Sequence, residues 1–366
     1  MISGGWRPGA RPYAVAARCV RTTFARARCD RCQRVCPRGA ITLERGVRVG
    51  GDCSACGACV AACPSAAIVD PAGDERALGH AIAAAAQRDP DRVARLACRA
   101  AGAARGELEV PCLGRLSADA LLWAATNGVA DVRGSSVDCA RCPEREAVLL
   151  LSETIATATA LAAVAGARLS FRHLRGTAPP LAPISEPRRA LFRSLFGLGR
   201  ERAVAPSPAE LVARAVGRRG ALLAEVRRHR DLEGRPGAGT VRGTPGASEH
   251  GWPFGVVAID SRRCVGCPVC AVVCPTGAIH RVAVGTTVTI TVTQDGCTAC
   301  GACAQACLPG AIVVRPAAAP ELLAGSDRMV VACGSSCPTC GRPSRPGHGE
   351  RCATCAVRSE RLGLRP

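Results

Sequence analysis

The chain has 366 residues, enough for two or three domains with cores of their own, and its 48 basic and 29 acidic residues give a formal charge of +19. All the basic residues are arginine, as a GC-biased genome would produce without selection for phosphate binding. The three Trp, one Tyr and five Phe are too few for the stacking platforms of single-stranded nucleic acid. Nucleic acid is therefore not an expected partner. Twenty-five cysteines, odd in number and mostly in x2 and x3 runs, argue for bound metal rather than a disulfide scaffold. Met1 to Arg28 has no apolar core ending in a small-residue cleavage site, which predicts a reducing cytoplasm.

The first cysteine run is ARARCDRCQRVCP, which keeps Cys29, Cys32, Cys36 and Pro37 but has Arg26 at its first position. Three complete runs of Cys-x2-Cys-x2-Cys-x3-Cys follow. They are CSACGACVAACP (Cys53, Cys56, Cys59, Cys63), CVGCPVCAVVCP (Cys264, Cys267, Cys270, Cys274) and CTACGACAQACLP (Cys297, Cys300, Cys303, Cys307). This spacing is a 4Fe-4S signature: two-residue gaps let three thiolates converge on one cubane, and the fourth, a helical turn further on, points at a second. Arg26 cannot ligate iron, and Cys19 is the nearest replacement. The alternatives are a three-cysteine 3Fe-4S cluster or a cubane with a non-cysteine ligand.

Gly57, Gly266 and Gly301 lie in the cluster loops, where positive φ and close backbone approach are expected. Pro37, Pro64 and Pro275 follow the fourth cysteines and stop the short helices. After Cys307, Leu308 intervenes before Pro309, predicting a local shift. Hairpins are predicted from Ala40–Leu43 with Val47–Val49 and from Ala278–Val284 with Thr287–Val292.

Between these units the sequence reads as α/β. Strands are predicted at Val93–Cys98, Leu108–Cys112, Ala130–Val137 and Arg168–His173, with helices at Ala118–Thr126, after an N-cap at Ser117, and at Glu144–Ala165. Cys98 and Cys112 end two strands, and Cys139 and Cys142 follow a third, where ligands gather in an α/β sheet. The alternative is two structural cysteines and an unrelated CxxC. The apolar stretch 147–167 contains Glu153 and several hydroxyls, which favours burial in a domain over a membrane span.

Residues 176–255 form an Arg/Pro/Gly-rich linker. Arg188–Leu198 reads as an amphipathic helix docked on its own protein, with a membrane surface through 186–198 as the less favoured option. Pro208–Arg230 is a second helix and Gly234–Gly251 a flexible stretch. At the end of the chain, Cys337, Cys340, Cys352 and Cys355 form two CxxC knuckles of a zinc-ribbon-like tail, a closed structural site. Cys333 is left over.

Residues 19–70 and 256–315 each resemble the bacterial two-cluster ferredoxin. The resemblance implies that each fourth cysteine serves the other half's cluster. The implied sets are Cys264/Cys267/Cys270/Cys307 and Cys297/Cys300/Cys303/Cys274, then Cys53/Cys56/Cys59/Cys36 and Cys29/Cys32/Cys63 with Cys19. The string VPCLGRLSADALLWAATNGVADV, with DCARCP after it, resembles the delta-type iron-sulfur subunit that carries electrons from methyl viologen-reducing hydrogenase to heterodisulfide reductase. That resemblance implies a 2Fe-2S cluster on Cys98, Cys112, Cys139 and Cys142. With about −2 for each four-thiolate site, the loaded protein would carry roughly +7.

The expectation is thus an α+β multi-domain chain: a ferredoxin-like two-cluster domain with an irregular first motif (1–75), a small α/β hydrogenase-delta-like domain (76–175), the linker, a second two-cluster domain (256–316) and the tail (330–358). Its expected function is a one-electron relay between redox partner proteins such as dehydrogenase, hydrogenase or reductase subunits, using four 4Fe-4S clusters, one 2Fe-2S cluster and one zinc ion. No phosphate loop or nucleophile elbow appears, and the six histidines are isolated, so no catalytic residue is expected. The competing readings are an iron-sulfur reductase with a substrate-accessible cluster and, further off, a nucleic-acid-binding iron-sulfur/zinc protein.

Overall fold

The computed structural model describes residues 9–44, 46–176, 255–284, 287–316 and 326–332, together with Leu223, Val226, His229 and parts of 335–358. The helix expected at Arg188–Leu198, most of that at Pro208–Arg230, the 234–251 linker and Cys333 lie outside the described residues.

The first unit runs β1 (Tyr13–Ala14), α1 (Val20–Thr23), α2 (Arg31–Arg34), β2 (Ile41–Thr42), β3 (Arg48–Val49), α3 (Ala58–Ala62) and β4 (Ile68–Val69). β2 and β3 form the expected hairpin, with Ile41 opposite Val49, and β1 pairs antiparallel with β4. The strands before and after the two cysteine runs thereby close the unit. Its small core, including Val35, Ile41, Val60 and Ile68, packs around the cysteines themselves.

The central domain runs α4 (Glu75–Arg88), β5 (Val93–Cys98), β6 (Leu108–Val110), α5 (Ala118–Thr126), β7 (Asp131–Ser136), α6 (Leu151–Ala165) and β8 (Ser170–Arg175). Its four strands are parallel in the order β6-β5-β7-β8. Such a sheet is covered by helices, so β5 is buried along most of its length instead of alternating. Ser117 caps α5 as expected, its hydroxyl accepting from Ala120 N.

α4 was not foreseen. Asp74 caps it by accepting from Ala77 N at 2.9 Å, and Leu78, Ile82 and Ala86 form its buried stripe against the sheet and α5. α6 is shorter than expected, because Arg145–Val148 winds as a tighter 3-10 turn beside the Cys142 loop. β6 stops at Val110, and β8 begins and ends two residues later than expected.

The stretch Arg145–Ala165 has the length and mean hydropathy (1.8) to cross a membrane, but here α6 buries Ala158, Leu161, Ala162 and Ala165 in the central core. Leu223 and Val226 join that core, and His229 Nδ1 lies 2.9 Å from the Ala165 carbonyl.

The second unit runs β9 (Gly255–Ile259), α7 (Val269–Val272), β10 (Ile279–Val284), β11 (Thr287–Thr293), α8 (Ala302–Ala306) and β12 (Ile312–Pro316). β9 pairs with β12 as β1 does with β4, and β10 with β11 as β2 does with β3. An unforeseen β13 (Ser326–Ala332) adds to β11. In the tail, β14 (Ser335–Ser336) pairs with β15 (Pro343–Ser344).

The first unit packs against both other bodies, and Val256 of β9 packs against the central core as well. Val20 and Ala27 are buried in the second unit's core with Phe24 and Cys29 packed against it, and Thr23 Oγ1 donates to the Val273 carbonyl at 3.4 Å. Cys112 and Ala147 of the central domain are buried in the first unit's core.

Candidate metal centres

The cysteine loops repeat one local geometry. The third residue after each fourth cysteine (Gly39, Ala66, Gly277, Gly310) has φ between +51° and +65°. That left-handed step turns the next N–H back onto sulfur. Ala40 N donates to Cys36 Sγ at 3.3 Å, Ala67 N to Cys63 at 3.1 Å, Ala278 N to Cys274 at 3.2 Å and Ala311 N to Cys307 at 3.2 Å.

The expected shift at Cys307 is absent. Its turn keeps the same count to Gly310, so Leu308 replaces a proline without displacing the sulfur. The sequence carried this signal unread, as a Gly or Ala followed by Ala after every run. Gly57, Gly266 and Gly301 take positive φ as expected, and Gly57 and Gly301 open α3 and α8.

The thiols group across the runs. Cys264, Cys267, Cys270 and Cys307 line one cavity of about 20 Å3, walled by Ile259, Ile290 and Ile312. Cys274 is close enough to raise the Cys300 and Cys303 thiols by charge, as Cys297 does that of Cys303. In the first unit Cys19, Cys29, Cys32 and Cys63 line a matching cavity of about 20 Å3. Cys19, just before α1, lines this cavity beside Cys29 and Cys32 of the run that has Arg26 at its first position. Cys36 and Cys53 stand beside Cys56 and Cys59.

Burial pushes the Cys32 and Cys303 thiols up to about 12 and those of Cys56 and Cys270 up to about 11, with neighbouring cysteines adding to the shift. Cys59 rises for the same reasons. A ligand that binds thiolate must displace these protons.

Residues 263–311 match the family model of the 4Fe-4S dicluster domain. This stretch of the chain is a ferredoxin-type dicluster domain, and the chain is an iron-sulfur protein. No curated protein matches the chain closely enough to count as a relative. The dicluster match covers the second unit alone; the first unit shares its strand pairing, its Cys-Sγ turn and its pair of thiol groups.

The central quartet is built differently. Cys98 ends β5, Cys112 lies just past β6, and Cys139 and Cys142 lie just past β7. These are the carboxyl ends of adjacent parallel strands, at the point where β6 and β7 leave β5 in opposite directions. The four cysteines line a cavity of about 30 Å3 with Val137, Glu144 and Val148. Gly114 N donates to Cys112 Sγ and Glu144 N to Cys142 Sγ, each at 3.4 Å. A Cβ on Gly114 would collide with the Ala147 carbonyl, so only glycine lets the 3-10 turn close over Cys112.

The first unit and the central domain are locked by an ion triad that the sequence did not reveal. Arg115 is fully buried, its Nε donating to Asp70 Oδ2 at 2.8 Å and its Nη1 to Glu75 at 3.1 Å. Ser117 hydrogen-bonds the same Glu75 carboxylate. The Arg115 stem covers Gly57 inside the Cys53–Cys59 loop, in space a Cβ would need. A lone arginine reads as a surface residue, and nothing nearby in the sequence marks it otherwise.

In the tail, the sulfurs of Cys337, Cys340, Cys352 and Cys355 all lie within 4.8 Å of one another, a geometry for one metal ion. Backbone N–H donation, chiefly from Cys352, lowers the Cys337 thiol to about 6. Hydrogen bonding to Cys340 and Cys352 raises that of Cys355 to about 12.

Proposed function

We propose that the protein is a one-electron relay with five iron-sulfur sites in contact through one folded body. The observation that carries this reading is contiguity. The Cys112 thiol is close enough to Cys56 to be raised by its charge, Cys59 is likewise close to Cys32, and Cys29 packs against the dicluster domain's core. The order is then the central quartet, Cys36/Cys53/Cys56/Cys59, Cys19/Cys29/Cys32/Cys63, and the dicluster domain with Cys264/Cys267/Cys270/Cys307 and Cys274/Cys297/Cys300/Cys303.

The residues fit such groups. Each ferredoxin-like quartet offers at least one backbone N–H to sulfur, and such bonds stabilise thiolate. Apolar walls exclude water. Bound clusters supply one-electron chemistry; the chain supplies ligation, spacing and the hydrogen bonds and burial that set potential.

For the central quartet we favour a 2Fe-2S cluster, supported by its position at strand ends and its separate fold. For the tail we favour zinc. Zn–S bonds of about 2.3 Å put tetrahedral sulfurs about 3.8 Å apart, and Cys340 Sγ lies 3.7 Å from Cys352 Sγ. On this reading the protein works in a reducing cytoplasm between redox partner proteins.

Elemental analysis after anaerobic reconstitution tests the inventory. It should approach about 18 iron atoms and one zinc per chain. A plateau near about eight iron atoms, the content of the dicluster domain alone, would overturn it. A reductase with an accessible cluster is the second reading, and one observation favours it: a solvent-open cavity beside Cys139.

A further inference from the structure

A cavity of about 440 Å3 opens beside Cys139, within the size range of small-molecule sites. It is distinct from the space inside the central quartet, which is about 30 Å3. One wall is apolar, made by Val148, Leu151 and Ile155, with Leu149 63% exposed at the rim.

The other wall is polar and asymmetric in charge. Arg145 is neutralised by Glu146 at 2.9 Å. Arg175 makes no ion pair among the described residues; its Nε donates to His173 Nδ1 at 3.4 Å. That Nε–H can only donate, so Nδ1 accepts and the neutral ring carries its proton on Nε2, 2.8 Å from Ser136 Oγ. Ser136 Oγ in turn lies 3.5 Å from Cys139 Sγ. Burial, with Arg175 adding to it, holds the His173 pKa below its ordinary value, so the ring contributes shape without charge. Among the described residues the cavity therefore presents one arginine without an ion-pair partner, one apolar wall and a cysteine of the central site.

We propose that this cavity binds a small organic monoanion with an apolar body, its charge at Arg175 and its apolar part along the start of α6, against the Cys139 end of the central quartet. With Arg145 and Glu146 paired, the charge of about −2 on a loaded central site disfavours a second negative charge on the ligand. The inference rests on the central quartet holding a cluster and belongs with the second reading, in which a small molecule meets that site through this cavity.

The test uses the reconstituted full-length protein in its oxidised state and the redox-inert probe 2-naphthalenesulfonate. Calorimetry measures affinity, and visible circular dichroism follows the central site. The expected result is saturable one-to-one binding, about tenfold or more weaker in Arg175→Gln, as for loss of a charge-assisted hydrogen bond, and blocked in Ile155→Trp. The neutral 2-naphthalenemethanol and the dianionic 2,6-naphthalenedisulfonate should bind more weakly.

No saturable binding to the wild type, equal binding of the neutral probe, or unchanged affinity in Arg175→Gln would each overturn the proposal. Iron content and stepwise reduction, measured on the same samples without probe, report separately on the relay. A protein that loads and reduces all its sites but ignores the probe refutes the cavity alone.

Discussion

Replacing Arg115 by Leu should be among the most damaging single changes outside the cysteines. The guanidinium is fully buried and compensates two carboxylates whose side chains are 7% and 5% exposed. Removing it leaves Asp70 and Glu75 as uncompensated buried charge, which costs about 3–5 kcal/mol when one partner of such a group is lost. Against a typical domain stability of about 5–15 kcal/mol, that is a large share. It also uncovers Gly57, which the Arg115 stem packs over, so the loss should reach the Cys53–Cys59 loop.

Guanidinium titration of the holo-protein, followed by far-UV circular dichroism and by cluster absorbance, is the assay. Both midpoints should fall, with bleaching starting earlier than in the wild type. Adding Asp70→Asn and Glu75→Gln should recover most of the loss, since neutral isosteres leave no stranded charge. A single-variant loss below about 1 kcal/mol, the range of a surface pair, would refute the triad as the lock between the two bodies.

Three further outcomes follow from individual residues. Cys19→Ser should convert one cubane to a 3Fe-4S species visible by EPR, with the other sites unchanged; identical spectra would make Cys19 structural. On the proposed inventory, Gly114→Ala, whose methyl would meet the Ala147 carbonyl, should remove the central site's iron while sparing the other four clusters, as iron analysis would report. In the metal-free protein, Cys32, Cys56, Cys270 and Cys303 sit at about 11–12 against an ordinary 9.0. Their folded values are raised, so the stability they contribute is intact below pH 9 and is lost as pH climbs from there, because the unfolded chain sheds those protons first. Urea midpoints of the apo-protein should therefore drop between about pH 8 and about pH 10.5; a flat profile would contradict the burial of these thiols.

The cysteine runs were legible because their chemistry dictates their spacing, and two of the groupings across runs line shared cavities. The hairpins and the Ser117 cap were legible for the same kind of reason: a turn or a cap is a local event written in a few residues. α4 was hidden because its stripe is diluted by alanines, so Leu78 and Ile82 give little periodic contrast. β13 was hidden by the Ala/Pro-rich stretch before it. The Arg115 triad joins Asp70, Glu75 and Arg115 across 45 residues, and burial of that range leaves no local mark. The cavity beside Cys139 likewise arises only when β8 brings His173 and Arg175 alongside the start of α6.

The central claim is that the sites form one continuous path, and EPR of the fully reduced protein tests it most directly. Neighbouring paramagnets should broaden and split each other's signals, and Cys112→Ser, by altering the central site beside Cys56, should simplify the spectrum of the adjoining cubane while leaving the dicluster domain's signals as they were. A fully reduced spectrum that is the plain sum of isolated centres, unaltered in the other sites by Cys112→Ser, would contradict the account.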